Sequence, residues 1–178
     1  MGHGRDSIRR LTALRLRGRP RKRPPHGLVR RRHDPIPEAK ETKLFLDTGA
    51  FVARYIPDDR NHAAALAAFR EIRGGGLAFK ALYTSNFVVD ETVTRILYER
   101  DHRDALTVLG LLRGDPSLRV LHVSEDLEPE IDRQFARYRE SKISYTDCSS
   151  KVLMERHGIS TVFSFDEDFE VMGLARIP

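Results

Sequence analysis

The sequence predicts an α/β fold, a small α/β/α sandwich with a central, mainly parallel sheet. Short apolar segments alternate with stretches whose composition favours helix, which is typical of parallel sheets covered on both faces. Two of these segments, Leu44-Phe45-Leu46 and Val162-Phe163-Ser164-Phe165, each end on an aspartate, Asp47 and Asp166. The carboxyl ends of parallel strands meet at one edge, where open α/β sheets bind ligands. We therefore expect these two carboxylates to lie side by side.

The first half of the chain alternates between strand and helix with clear stop signals. A buried strand is predicted over 43–47 and a helix over 48–55, which must end before Pro57. A helix rich in Ala and Leu is predicted over 61–73, because the three glycines that follow end it. A second strand is predicted over 81–84. Ser85 or Asn86 then caps a helix over 87–99, with a buried face of Val89, Val93, Ile96 and Leu97.

The second half repeats the pattern. Asp101 caps a predicted helix over 102–113, and a third strand is predicted over 118–123. The acids that follow Ser124 suit the start of a helix over 124–139. Ser144-Tyr145-Thr146-Asp147 resembles a capping box that opens a helix to about His157, before Gly158. The last strand is predicted over 161–165.

Charge divides the chain into two parts. Residues 1–40 contain 13 Lys/Arg against 3 Asp/Glu, which leaves 18 basic and 23 acidic residues in 41–178. We predict a disordered basic arm over residues 1–40 and one folded domain over 41–178, because the arm has too little apolar surface to fold. Such an arm can add non-specific nucleic-acid affinity. Its composition is more typical of a targeting peptide or of an extension from an upstream start.

Composition also indicates where in the cell the protein is located. No apolar run approaches the 18 to 20 residues that cross a bilayer, so we expect a cytoplasmic protein without membrane contact. The single cysteine, Cys148, precludes an intrachain disulfide and is expected to be a small core residue rather than a nucleophile.

Four acids are candidates for a divalent metal site: Asp47, Glu91, Asp147 and Asp166. Mg²⁺ and Mn²⁺ prefer oxygen ligands, and packed carboxylates repel one another unless a cation compensates them. A metal held there suits cleavage of a phosphodiester. Each acid also has an ordinary alternative. Asp47 and Asp147 can serve as helix caps, Asp166 can be a loop acid, and the helical position of Glu91 by itself favours a solvated carboxylate.

Five short motifs, in order, resemble those of PIN-domain proteins, and within them the VapC-type toxins of toxin–antitoxin pairs. The motifs are Leu46-Asp47-Thr48-Gly49-Ala50-Phe51-Val52-Ala53, Asp59-x-x-His62-x-x-Ala65, Ser85-Asn86-Phe87-Val88-Val89-Asp90-Glu91-Thr92, Ser144-Tyr145-Thr146-Asp147-Cys148 and Phe165-Asp166-Glu167-Asp168-Phe169. The resemblance covers residues 43–178.

The resemblance implies a Mg²⁺- or Mn²⁺-dependent endoribonuclease with Asp47, Glu91, Asp147 and Asp166 as catalytic residues and metal ligands. It also implies hydrolysis of RNA to a 5′-phosphate and a 3′-hydroxyl, a homodimer, and an antitoxin protein that blocks the site. Asp168 is the acid whose place in the site the resemblance leaves open. Thr48 and Thr146 are interpreted either as groups that orient the ligands or as helix-start residues.

Three other functions remain open at this stage. A phosphatase with Asp47 as nucleophile requires a second aspartate two residues later, where this chain has Gly49. A non-catalytic nucleic-acid-binding module would use the basic arm, and a PIN nuclease could serve RNA processing instead of toxicity. Lys142 and Arg95 lie close in sequence to the acids and are candidates to steer an RNA backbone.

Overall fold

The structure is a computed structural model that describes residues 42–77 and 79–178. Its described part holds one sheet of five strands, all of them parallel. The strands are β1 (Lys43–Leu46), β2 (Ala81–Ser85), β3 (Leu118–Leu121), β4 (Thr161–Phe163) and β5 (Ala175–Ile177). The predicted α/β class with a mainly parallel central sheet is confirmed. The predicted arm, residues 1–40, lies outside the described residues, so the division of the chain stays a prediction.

The strand order in the sheet is β3-β2-β1-β4-β5. β1 therefore lies in the middle, between β2 and β4, with Phe45 opposite Tyr83 on one side and Val162 on the other. The chain runs outward from β1 to β3 in its first half and returns to β4 on the opposite side. The carboxyl ends of β1 and β4 are consequently neighbours at the point where the strand order reverses, which is where open α/β sheets form a crevice.

Seven α-helices cover the sheet in the described part of the chain. They are α1 (Thr48–Tyr55), α2 (His62–Gly74), α3 (Asn86–Glu99), α4 (His102–Gly114), α5 (Glu128–Arg137), α6 (Tyr145–Arg156) and α7 (Asp168–Val171). Ser85, Asp101 and Ser144 cap α3, α4 and α6 through their side chains, as their positions before each helix predict. Gly75 ends α2 in the left-handed conformation, with a φ of 75°, that glycine adopts without strain.

The structure differs from the prediction in five elements. β3 and β4 are shorter than predicted, and the predicted helix over 124–139 is a short 3₁₀ helix, Glu125–Leu127, followed by α5. α7 and β5 were not predicted. β5 has only three residues with an arginine in the middle, so no apolar run marks it.

The buried face of α3 also differs from the predicted one. Val89 and Ile96 are buried as expected, but Leu97 is 38% exposed, and Val88 and Thr92 are buried in addition. The buried face of α3 therefore lies further around the helix than predicted, toward Val88 and Thr92 and away from Leu97. This rotation matters for Glu91, which is half-buried instead of solvated.

The core lies on both faces of the sheet and includes Phe45, Phe163, Phe169 and Val152, all without exposed surface. Cys148 is fully buried, as predicted for a core residue. Across the described ranges, no helix combines the length and the apolar character needed to span a membrane.

Candidate metal centre and nucleic-acid interface

A cavity of about 790 Å³ opens at the carboxyl ends of β1 and β4. Its lining includes all four predicted site acids: Asp47, Glu91, Asp147 and Asp166. We call these four the acid cluster. Lys142 and Arg95, the two predicted RNA-steering cations, line the same cavity. Residues separated by up to 119 positions in sequence thus meet at one edge of the sheet.

Asp47 is the most enclosed of these acids, with 5% of its surface exposed. It follows β1 directly and caps α1, because its Oδ2 accepts a hydrogen bond from the Gly49 backbone N–H at 3.2 Å. The same oxygen accepts a hydrogen bond from the Ser164 hydroxyl at 2.8 Å. The capping role that the sequence suggested as an alternative is therefore real, and it coexists with a position in the cavity.

Glu91 reaches the cavity from the first half of α3. Its Oε2 accepts a hydrogen bond from the Thr48 hydroxyl at 2.8 Å, and Thr48 is itself buried at the start of α1. The contact between α1 and α3 thus holds the Glu91 carboxylate in place. Position along α3 alone favoured a solvated side chain, and that interpretation is wrong, since it did not include the neighbouring helix.

Asp147 completes the predicted capping box at the start of α6. The Ser144 backbone N–H and hydroxyl both donate to its Oδ2, at 2.9 and 2.6 Å, while the Asp147 N–H donates to the Ser144 hydroxyl oxygen at 3.1 Å. The cap engages only Oδ2. Oδ1 accepts none of the hydrogen bonds found among the described residues, so one carboxylate oxygen is available to a ligand while the other holds the helix.

Asp166 lies on the loop after β4 and is exposed. Its backbone N–H donates to the Ser164 hydroxyl oxygen at 3.0 Å, and its Oδ1 accepts from the Asp168 N–H at 2.9 Å. Asp168 also lines the cavity. Ser164 therefore joins two members of the acid cluster, because its hydroxyl donates to Asp47 and accepts from Asp166.

Burial and mutual repulsion shift the protonation of the enclosed acids. Desolvation, reinforced by the nearby Asp147 carboxylate, raises the pKa of Asp47 to about 7, although the Ser164 and Gly49 hydrogen bonds oppose the shift. The pKa of Asp147 is also raised, mainly by desolvation and further by Asp166 and Glu91, against the opposing Ser144 hydrogen bonds. These carboxylates are close enough to repel one another, so a cation between them would be stabilising.

The donor set suits a hard divalent ion. Every member of the acid cluster offers carboxylate oxygens, the ligand type that Mg²⁺ and Mn²⁺ prefer. Among residues 42–77 and 79–178, no group of three or more His, Cys, Asp or Glu side chains is arranged so that it could hold a metal ion by itself. Mg²⁺ typically keeps several waters and takes only one or two carboxylates directly, so an open acidic cavity fits it.

Sequence reasoning missed Ser164, Arg60 and Asn61. Ser164 is fully buried, and its one signal is a hydroxyl residue inside an apolar strand segment. Arg60 and Asn61 line the cavity from the turn between α1 and α2. Of the two threonines proposed to orient ligands, Thr48 contacts Glu91, whereas Thr146 is not part of the cavity lining.

The fold and the cavity define a class: a parallel α/β domain with a carboxylate-lined crevice where the strand order reverses. The model of the PIN domain family matches residues 44–174, well over half of the chain. The chain belongs to the PIN domain family. The resemblance inferred from the five motifs is confirmed.

Two relatives indicate the branch of the family. The chain is 28% identical over 134 residues to the 23S rRNA-specific endonuclease VapC20 of Mycobacterium tuberculosis, covering 75% of this chain and 97% of that protein. It is 26% identical over 133 residues to a VapC ribonuclease of Archaeoglobus fulgidus, covering 74% of this chain and 82% of that protein.

Solved structures agree on the fold. The crystal structure of M. tuberculosis VapC20, described as a sarcin-ricin loop cleaving toxin, superposes with a TM-score of 0.67 at 28% identity, covering 75% of this chain and 98% of that one. The FitAcB structure from Neisseria gonorrhoeae superposes with a TM-score of 0.56 at 18% identity, covering 76% and 96%. This second likeness bears on the fold alone.

Proposed function

We propose that the protein is a metal-dependent endoribonuclease that acts as the toxin of a toxin–antitoxin pair. The observation that carries the proposal is the acid cluster: four carboxylates from four separate segments line one cavity at the switch point of the sheet. Membership of the PIN domain family and similarity to proteins named endonuclease and ribonuclease support it.

Asp47, Glu91, Asp147 and Asp166 are the residues that would hold Mg²⁺ or Mn²⁺. The ion, when bound, supplies activation of water and neutralisation of charge on the scissile phosphate. The protein holds these ligands in place before the ion binds. Ser164 and Gly49 fix Asp47, and Thr48 fixes Glu91. The cap uses only Oδ2 of Asp147 and leaves Oδ1 without a hydrogen-bond donor among the described residues. Hydrolysis adds water to phosphorus and releases the 3′ oxygen, which gives a 5′-phosphate and a 3′-hydroxyl.

The toxin assignment implies two protein partners. One is an antitoxin that covers the cavity, and the other is a second copy of the chain in a homodimer. Both come from the similarity to VapC proteins, one of them described as a toxin. Co-expression with the product of any small reading frame found next to its gene, followed by size-exclusion chromatography with light scattering, measures both assemblies. We expect a dimeric toxin that forms a complex without nuclease activity.

The direct test is cleavage of a labelled single-stranded RNA in Mn²⁺ by the wild-type protein and by Asp47→Asn. The substitution keeps size and hydrogen-bonding capacity but removes the charge that a cation requires. We expect cleavage to fall by at least about 10³-fold while the circular dichroism spectrum is unchanged.

Asp90→Asn is the matched control. Asp90 is exposed on α3 beside Glu91, and it is not part of the cavity lining. It should retain wild-type cleavage. Equal cleavage by wild type and Asp47→Asn would contradict the proposed function.

A further inference from the structure

The acidic cavity carries three exposed cationic side chains at its opening within the described residues: Arg60, Arg95 and Lys142. We call these the cationic rim. Cations beside carboxylates normally pair with them, but no rim residue pairs with a member of the acid cluster in the described part of the chain. The rim is thus a separate electrostatic element, opposite in sign to the cavity it surrounds.

Arg60 has no ionic partner among the described residues although acids flank it on its own turn. Asp58 is instead 3.7 Å from the Arg100 guanidinium, which also pairs with Asp104 at 3.4 Å. Asp59 uses its Oδ1 to accept the Asn61 backbone N–H at 2.7 Å. Neither acid forms an ion pair with Arg60 among the described residues, so the Arg60 guanidinium remains available to an external anion.

The turn that carries Arg60 is held rigidly. The Asp59 N–H donates to the Ile56 carbonyl at 3.1 Å, and the His62 N–H donates to the Asp59 carbonyl at 2.9 Å. The His62 ring Nδ1 lies 2.7 Å from the Ala53 carbonyl, which ties the start of α2 to α1. A guanidinium on such a turn loses less backbone entropy when it binds a ligand than one on a mobile loop.

Asn61 occupies the capping position of α2 but makes no side-chain capping bond. Its backbone, at φ −97° and ψ 3°, is outside the extended conformation in which an asparagine cap forms, so its side chain does not stabilise the start of α2. Asn61 is part of the cavity lining, and its side-chain amide offers both a donor and an acceptor group. An amide of this kind can pair with the edge of an unstacked base or with a ribose hydroxyl.

Lys142 lines the cavity from the segment before α6, two positions before the Ser144 cap, and also has no ionic partner in the described ranges. Arg95 differs from both, because its guanidinium pairs with Glu99 one helical turn along at 3.3 Å. This pair is about half exposed and therefore weak. Arg60 and Lys142 are therefore the rim cations most available to an external anion, and Arg95 is the least available.

From these contacts we infer that the turn between α1 and α2 is an RNA-positioning element. Arg60 and Lys142 bind two phosphates of one single strand that crosses the cavity, and Asn61 contacts a base or ribose next to the scissile bond. The inference rests on the proposed function, since it names how that site holds its substrate. The acids act on the scissile phosphate, whereas the rim determines which stretch of strand lies over them.

The test measures binding of a fluorescein-labelled, mixed-sequence single-stranded RNA by anisotropy, with the full chain carrying Asp47→Asn so that nothing is cleaved. Arg60→Gln and Lys142→Gln, each added to that background, should weaken binding about fivefold near 0.1 M salt, the value expected for one lost phosphate contact. The slope of log K against log salt should fall by about 0.7 for each. Arg95→Gln should have a smaller effect.

Asn61→Ala should behave differently because the amide carries no charge. In the chain with native Asp47, we expect its KM for the same RNA to rise with an unchanged salt slope. For Arg60→Gln and Lys142→Gln, KM should rise while kcat remains within about twofold. The control is Arg103→Gln, since Arg103 is an exposed arginine on α4 outside the cavity lining.

The outcomes separate this inference from the proposed function. If Arg60→Gln and Lys142→Gln bind RNA with the affinity and salt slope of Arg103→Gln, or the parent chain binds no RNA, the inference is overturned. If the binding differences appear but the chain with native Asp47 cleaves nothing in Mn²⁺, the positioning element stands and the nuclease proposal fails. An unaltered KM for Asn61→Ala would remove Asn61 from the element.

Discussion

The acid cluster and the cationic rim share one cavity but are built in opposite ways. All four acids accept hydrogen bonds from neighbouring serine, threonine or backbone groups that hold their carboxylates in place. The rim cations Arg60 and Lys142 have no ionic partners among the described residues. The difference indicates two roles. Internal hydrogen bonds orient the carboxylates for a small cation, whereas the unpaired rim cations are available to bind a polyanion reversibly.

The largest expected effect separates the two roles of Asp147, as helix cap and as member of the acid cluster. Asp147→Asn should reduce RNA cleavage by at least about 10³-fold, because an amide carries no charge for the metal. Ser144→Ala removes the capping hydroxyl and should lower the free energy of unfolding by about 1 kcal/mol. Its cleavage should remain within about tenfold of wild type. Similar nuclease losses in the two variants would mean that Asp147 acts only as a cap.

An intermediate effect is expected at Ser164, which touches the acid cluster without belonging to it. Ser164→Ala removes the hydroxyl that donates to Asp47 and accepts from the Asp166 N–H. We expect kcat/KM to fall by about 10- to 100-fold, the range typical for groups that orient metal ligands. Ser164→Thr restores the hydroxyl and should recover most of the activity. Equal activity of the alanine and threonine variants would remove this residue from the site.

The smallest expected effect is on stability and depends on pH. The pKa of Asp47 is raised from 3.8 to about 7, so in metal-free protein the native state binds a proton that the unfolded state releases between these values. The contribution of Asp47 to the free energy of unfolding therefore falls as pH rises from about 4 to about 7 and is then constant. Asp47→Asn lacks this penalty and should be more stable than wild type by about 1 to 4 kcal/mol at pH 8, and by much less at pH 4.

Urea unfolding in EDTA at the two pH values measures this difference. Removal of metal by EDTA should leave the wild-type protein folded. Its core is built from apolar side chains packed on the sheet, and the candidate metal ligands line the cavity instead. Asp90→Asn is again the control and should show no comparable gain. A stability difference between Asp47→Asn and wild type that does not grow with pH would contradict the elevated pKa.

The sequence was sufficient for most of the fold because its local signals agree with one another. Apolar runs, caps and glycine stops located α1 to α4 and α6 to within a few residues, and the Ser144–Asp147 capping box forms as predicted. β5 was missed because a three-residue edge strand with an arginine in it carries no periodic pattern. Strand order brought Asp47 and the β4 loop together, and parallel topology was enough to predict that.

The rest of the site depends on contacts between distant segments. The position of Glu91 on α3 favoured a solvated carboxylate, because helical spacing contains no information about Thr48 of α1. The sequence shows Ser164 only as one residue of a predicted strand, whereas the structure shows its hydroxyl bonded to both Asp47 and the Asp166 N–H. Arg60 can be recognised as an unpaired cation only from the structure, which shows no ion pair between it and Asp58 or Asp59. Such features require tertiary structure, since each is defined by which partners a side chain does or does not have.

The most direct test of the central claim is calorimetric titration of the full chain with Mn²⁺ at pH 7.5. The wild type should bind the ion, and Asp47→Asn, Glu91→Gln and Asp147→Asn should each weaken binding by at least about tenfold, while Asp90→Asn binds as the wild type does. Wild-type affinity in all three cavity variants would contradict the claim that these carboxylates form one metal centre.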